Sequence, residues 1–174
     1  MDYEFTLRYQ LSEEDADHDE LVERLGAAGC DDAVIGIGQP GRIALAFTRE
    51  ASSADKALVS ALSDVKQAIP SARLIEALPD FVGLTDVAEA VGVSRQNMRK
   101  LMLSYATSFP APVHEGASSV WHLADVIEWL LARGSYDIQA GLAEVATTNK
   151  QVNLVKEVQA IRPGARRELR ALVC

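Results

Sequence analysis

The sequence predicts an α+β protein of two unlike parts, and three observations carry that prediction. The first eighty residues switch repeatedly between the hydrophobic period of strands and that of helices. From Leu84 onward short helical patterns dominate, punctuated by Gly and Pro. Charge divides at the same place: residues 1–80 hold 7 Lys/Arg and 16 Asp/Glu, net −9, while residues 81–174 hold 10 and 9, net +1. A polyanion would be repelled by the first part, so whatever positive potential the chain has lies in the second.

The first part reads element by element. "YEFTLRY" (Tyr3–Tyr9) alternates in period two with aromatic and β-prone residues, as a strand does. "HDELVERLGAAG" places Leu21, Val22, Leu25 and Ala28 at helical spacing behind acidic residues suited to a helix N-terminus. "AVIGI" and "RIALAF" are two short strands across the tight-turn signal "GQPG" (Gly38–Gly41). That glycine-rich run sits between strands, so a hairpin turn is the reading rather than a phosphate cradle. A second helix spans about Ser53 to Ile69, with Leu58, Leu62, Val65 and Ile69 on one face, and Pro70 stops it. "ARLIEAL" (Ala72–Leu78) is the last strand. The order β-α-β-β-α-β is the split motif of ferredoxin-like domains, a fold that by itself says little about function. Pro79 marks the boundary, giving a first domain of residues 1–79.

Past the boundary, "LTDVAEAVGVSRQNMRKLM" spells two short helices around a turn. Thr85 is positioned to cap the first, whose apolar residues are Val87, Ala88 and Val91. Gly92 supplies the positive φ of the turn, and Val93 fills the angle between the helices. Ser94 caps the second helix, which turns Met98, Leu101 and Met102 inward. Arg95, Gln96, Asn97, Arg99 and Lys100 are left outward, with no acid among them. These side chains match the needs of a recognition helix, whose first residues meet base edges in the major groove. Arg pairs bidentately with guanine, Asn or Gln with adenine, and Lys holds phosphate. The alternative for such a helix is a solvated polar face.

"FPAPVHEGASSVWHLADVIEWLLARG" then gives a strand at Pro112–His114, a turn at Glu115–Ser118, a return strand at Ser119–Trp121 and a helix from about Leu123 to Ala132. Together, "LTDVAEAVGVSRQNMRKL", "FPAPV", the aromatic of "VW" and "ADVIEWLL" resemble the small winged helix-turn-helix domains of excisionase, AlpA-type and MerR-type DNA-binding proteins. The resemblance covers about residues 82–133 and implies a DNA-binding domain over 80–134. It also implies a recognition helix from Ser94 to Lys100, a β-hairpin wing at Val113–Trp121, and Trp121, Val126 and Trp129 packed in the core. The wing departs from the family pattern, because "HEGASS" has Glu115 and no Arg or Lys. Only His114, Ser118 and Ser119 offer hydrogen bonds to phosphate there. The expected DNA-binding residues are therefore Thr85, Ser94, Arg95, Gln96, Asn97, Arg99, Lys100, His114, Ser118 and Ser119.

The last segment, residues 135–174, reads as a long helix over Ile138–Ile161 and a basic tail, "ARRELR", beyond Pro163-Gly164. Ile138, Leu142, Val145, Val152 and Val155 form a stripe with Asn149 inside it, which is the pattern of a helix that pairs with a second copy. The alternative is that the helix packs back on its own chain. Cys30 and Cys174 are too few for a disulfide framework, and Cys30 reads as a buried free thiol. No signal peptide or run of about 18 apolar residues is present, so a cytoplasmic location is expected. No nucleophile motif or metal-ligand spacing accompanies His18, His114 or His122. Neither a catalytic site nor a cofactor is therefore expected.

The functional expectation is a homodimeric, sequence-specific binder of double-stranded DNA acting as a transcriptional regulator. Its N-terminal domain would take an effector or a protein partner. Two alternatives stay open: an antitoxin-like or adaptor protein whose acidic domain binds a partner, and an excisionase-like architectural protein.

Overall fold

The computed structural model describes residues 1–134 and 136–161, with 167, 169, 172 and 173. The tail "ARRELR" and Cys174 lie largely outside the described residues. Among the described residues the fold is mixed α+β, with a four-stranded antiparallel sheet, a two-stranded sheet and six α-helices. Among the described residues no helix is long and apolar enough to cross a membrane.

Strands β1 (Asp2–Gln10), β2 (Ala33–Gly36), β3 (Arg42–Glu50) and β4 (Arg73–Leu78) form one sheet in the order β2-β3-β1-β4. Neighbours run antiparallel throughout. Alternation decides the faces: Tyr3, Phe5, Leu7 and Tyr9 of β1 and Ile43, Leu45 and Phe47 of β3 all point to one side and are buried. The turn between β2 and β3 is closed by Arg42 N–H on the Gln39 carbonyl at 3.0 Å. Helices α1 (His18–Ala27) and α2 (Ala54–Ala68) pack on the buried face. Asp17 caps α1 by accepting from Asp19 and Glu20 N–H, and Ser53 caps α2 by accepting from Lys56 N–H. Ala54, Ala57, Ala61 and Ala68 share the inner side of α2, and side chains this small let the helix sit close to the sheet.

Arg49 belongs to the same inner face, two residues on from Phe47, yet is buried. It is satisfied there by Asp32 at 2.7 and 2.9 Å, Asp64 at 2.7 Å, Ser60 at 3.0 Å and the Gly29 carbonyl at 2.8 Å. Its hydrogen bonds from the guanidinium to Asp32 and Asp64 hold it charged despite burial. Cys30 is buried and free, and burial pushes its thiol up to about 11, so it behaves as a small apolar side chain.

The second part is built on β5 (Phe81–Val82), α3 (Leu84–Ala90), α4 (Arg95–Ser104), β6 (Trp121–His122) and α5 (Leu123–Ala132). Val82, Val87, Met98, Trp121, Val126 and Leu130 centre a second core. Two expectations are corrected here. Strand β5 was not anticipated, and it takes the return strand as its partner, pairing Phe81 with His122 and Val82 with Trp121. The wing hairpin is therefore reduced to a single bridge between His114 and Val120, with Val113 N–H on the Val120 carbonyl at 2.7 Å. Pro110 and Pro112 lack N–H donors and cannot extend a ladder.

The expected pairing stripe on the last helix is corrected as well. Helix α6 (Ala140–Gln159) packs against β1, β4 and α2 of the first part and against α5 of the second. Val145 is buried in the first core, with Val152 packed against it, while Ile138 and Leu142 pack against the second core. Asn149 is buried and donates to the Pro79 carbonyl at 3.1 Å. Of the six residues expected at a dimer seam only Val155 stands open. The helix therefore belongs to both cores rather than to a separate C-terminal unit.

Its deepest contact was also unforeseen. Asn153 accepts from Ala77 N–H and donates to the Ala77 carbonyl, both at 2.9 Å, closing the edge of β4 like an extra strand residue. The same amide donates to the Asp80 carboxylate at 2.8 Å, which also meets His122 Nδ1 at 2.7 Å. Leu123 N–H on the Asp80 carbonyl at 2.7 Å completes a buried polar joint between the two parts.

Candidate nucleic-acid interface

The helical hairpin of the second part is set by local chemistry. Helix α3 begins two residues earlier than a Thr85 cap would allow, because β5 ends at Val82 and Gly83 takes the cap position. Asp86 reaches back to accept from Gly83 N–H at 2.8 Å, and Thr85 is left exposed in the first turn. At the turn Gly92 has φ +70°, a conformation costly for any residue with a Cβ. That geometry brings Val93 N–H onto the Ala88 carbonyl at 2.8 Å. Ser94 then caps α4 by accepting from Asn97 N–H at 3.2 Å.

One side chain anchors α4. Met98 is fully buried, while Leu101 and Met102 are half-buried against the same core. Around that anchor Ser94, Arg95, Gln96, Asn97, Arg99 and Lys100 are all exposed. From Ala90 to His114 the chain holds these three cations and no acid, with Glu89 and Glu115 at either edge. Among the described residues no carboxylate lies within ion-pair distance of Arg95, Arg99 or Lys100. At about 1.5 Å per residue the ten residues of α4 extend about 15 Å, and a helix about 10–12 Å across fits a major groove about 12 Å wide.

The structure brings some of the expected residues together and separates others. Thr85, Arg95, Arg99, Ser118 and Ser119 line one concave surface of about 760 Å³ between the start of α3, α4 and the short bridge segment. Glu115 lines it too, so the one acid of that segment faces the same groove as the two arginines. Gln96, Asn97 and Lys100 lie outside its lining, on the exposed remainder of the helix. His114 is also outside the lining: its ring closes over Gly116, where an added Cβ would stand 2.7 Å from Nε2.

An aromatic cluster holds the bridge segment against the end of α4. Phe109 packs edge-on against Trp121 and Trp129 at 6.1 and 5.1 Å between centroids, and Trp121 Nε1 donates to the Pro110 carbonyl at 3.0 Å. Arg133, at the end of α5, lies 3.7 Å from the Tyr105 ring centroid and 4.7 Å from that of Trp129. It adds a cation beside the C-terminal end of α4 that the sequence reading did not single out. The available signal was the four-residue step from Trp129 to Arg133 along one helix face.

Among the described residues no group of three or more His, Cys, Asp or Glu is arranged to hold a metal ion. No protein-family model, no curated protein and no solved structure matches the chain.

Proposed function

We propose that this protein binds double-stranded DNA sequence-specifically, with α4 in the major groove, and acts as a transcriptional regulator. The observation that carries the reading is the outward face of α4. Five polar side chains suited to base and phosphate contact are exposed together on a helix anchored from behind by Met98. None of its cations is neutralised by a carboxylate among the described residues. In a chain of net charge −8, a patch left uncompensated in this way is suited to an anionic partner. The helix-turn-helix geometry around Gly92 and the bridged segment after α4 support the winged helix-turn-helix resemblance. The β-α-β-β-α-β order and the β2-β3-β1-β4 sheet likewise support a ferredoxin-like first domain.

In this reading Arg95 and Asn97 contact bases, Lys100 contacts phosphate, and Ser94 with the free N–H groups of the first turn supports a phosphate. Thr85, Ser118 and Ser119 line the flank of the same surface and offer neutral hydrogen bonds. A second reading, that of a partner-binding adaptor, is favoured by the outer face of the four-stranded sheet. Val34 is 76% exposed there beside the small side chain of Ala46. Selection of bound duplexes from a random library by the full chain separates the two. Enrichment of a defined motif supports the regulator; recovery of random sequence at physiological salt overturns it in favour of the adaptor.

A further inference from the structure

The outer face of the four-stranded sheet is polarised along its strands. Directly opposed residues share a face, so the strand register gives that face row by row. The middle row is Val34, Ala46, Thr6 and Leu78, small or apolar throughout, with Val34 76% exposed. Toward one end come Glu4 opposite Thr48, then Asp2 opposite Glu50. Toward the other come Arg8 between Ala44 and Glu76, then Gln10 between Arg42 and Arg73. One end thus carries acids alone, and the other is basic with Glu76 as its acid.

Little in the chain itself balances the two ends. Asp2 and Glu50 are like charges set opposite each other, a cost that a facing cation would remove. Among the described residues Asp2, Glu4, Glu50, Arg42 and Arg73 form no ion pair, while Arg8 meets Glu76 at 2.8 Å. The Met1 ammonium donates to the Ala51 carbonyl at 3.3 Å. Strand β1 separates its two ends by about 26 Å, and charges are screened beyond about 8 Å at physiological salt. Neither end therefore neutralises the other within one copy. The acidic end borders a hollow of about 660 Å³ that includes Glu4 and Phe81, with no Lys or Arg among its described lining. The basic end borders one of about 470 Å³ lined by Arg8, Arg42 and Glu76.

We propose that a second copy packs face to face on this sheet, about a two-fold axis that runs along the middle row between the two faces. Such an axis reverses strand direction, so the basic end of each copy lies on the acidic end of the other. Thr6 and Ala46 are the midpoints of β1 and β3, which fixes the register. Arg8 falls over the partner's Glu4 and Arg42 over the partner's Glu50, and symmetry repeats both pairs. Packed sheets stand about 10 Å apart, and the small side chains of Thr6 and Ala46 permit that approach at the centre. A second copy is favoured over another protein because the face is complementary to itself. This occupant does not depend on DNA binding.

Sedimentation velocity of the full chain over a range of concentrations tests it. The wild type should be a dimer. A46E sets two like charges beside the axis and should sediment as a folded monomer with its circular dichroism unchanged. T6R should do the same, and decides alone should A46E fail to fold. Glu50→Arg and Arg42→Glu should each weaken dimerisation at least about tenfold, since each brings like charges together at two places. Mixed in equal amounts, those two variants should recover the dimer, because every facing pair is again opposite in sign. A wild type that is monomeric at every concentration overturns the proposal and leaves the face to a different protein. A dimer that survives T6R, or a mixture of the two charge variants that stays monomeric, overturns it as well.

Discussion

Helices α4 and α6 both interrupt an amphipathic pattern with polar side chains, and they spend those side chains in opposite ways. Helix α4 buries Met98 and turns its amides and cations outward. Helix α6 buries Thr148, Asn149 and Asn153 along with Val145 and Ala146. In the first case the polar groups keep their hydrogen-bonding capacity for another molecule. In the second, Asn149 and Asn153 are taken up by backbone and carboxylate groups of β4 and the segment after it, and Thr148 donates to the Glu144 carbonyl of its own helix. A polar residue on a helix therefore has no fixed meaning until the surface opposite it is known, because burial without a partner costs what a partner returns.

The comparison breaks most visibly if α6 is removed. Ending the chain after Gly134 takes Val145 from the first core and Ala146 from the second, and strips Asp80 of one of its partners. The truncated protein should lose its cooperative thermal transition by circular dichroism. A transition of unchanged midpoint would show that α6 is dispensable. Next in size, Asn153→Ala leaves the Ala77 backbone groups and the Asp80 carboxylate short of partners in a buried site. It should lower stability by about 3 kcal/mol in urea denaturation.

On α4 the expected effects leave folding alone and fall on binding. Replacing Arg95 or Asn97 with Ala should cost about 1–3 kcal/mol at the selected site and relax base preference there. Lys100→Ala should weaken binding to specific and random duplexes alike and reduce the salt slope by about one unit. If all three are replaced and titrations against both duplexes are unchanged, α4 is a solvated face and the DNA reading fails.

Smaller effects sharpen the local picture. Asp86→Ala should cost about 1 kcal/mol by releasing the Gly83 N–H, and Thr85→Ala less than about 0.5 kcal/mol. The reverse ranking in chemical denaturation would restore Thr85 as the cap. A pH effect comes from Asp15, whose carboxyl is held below its ordinary range by the hydrogen bond from Ser71, then by those from Ser12 and Arg24. A depressed folded pKa contributes stability that is present above the unfolded value of about 3.9 and fades as pH falls through the folded one. The stability gap between wild type and Asp15→Asn should therefore narrow between neutral pH and the acid range. A gap independent of pH would mean that Asp15 acts through packing alone.

Much of the fold was legible because its signals are local. Period two in β1 and β3, helical spacing in α1, α2 and α5, the serine cap at Ser94, and the glycine turn at Gly92 all stand in the chain as read. The outward set on α4 was legible for the same reason, since Met98 marks the inward side and the others follow from helical geometry. Strand β5 was not, because two residues carry no periodicity. Its partner at Trp121–His122 lies some forty residues away, and only the closing of the second core aligns them.

The sequence by itself determined which residues share a face, where helices start and turn, and where the positive charge is concentrated. These depend on backbone sterics, caps and spacing within a few residues of one another. Only the tertiary structure decided what each face meets. The stripe of α6 is equally suited to a second copy and to its own chain. The choice turned on Asn153 reaching the backbone of Ala77 and the carboxylate of Asp80, over seventy residues earlier. Hydrogen bonds between groups so distant leave no period in the chain, because their geometry exists only once both cores have closed.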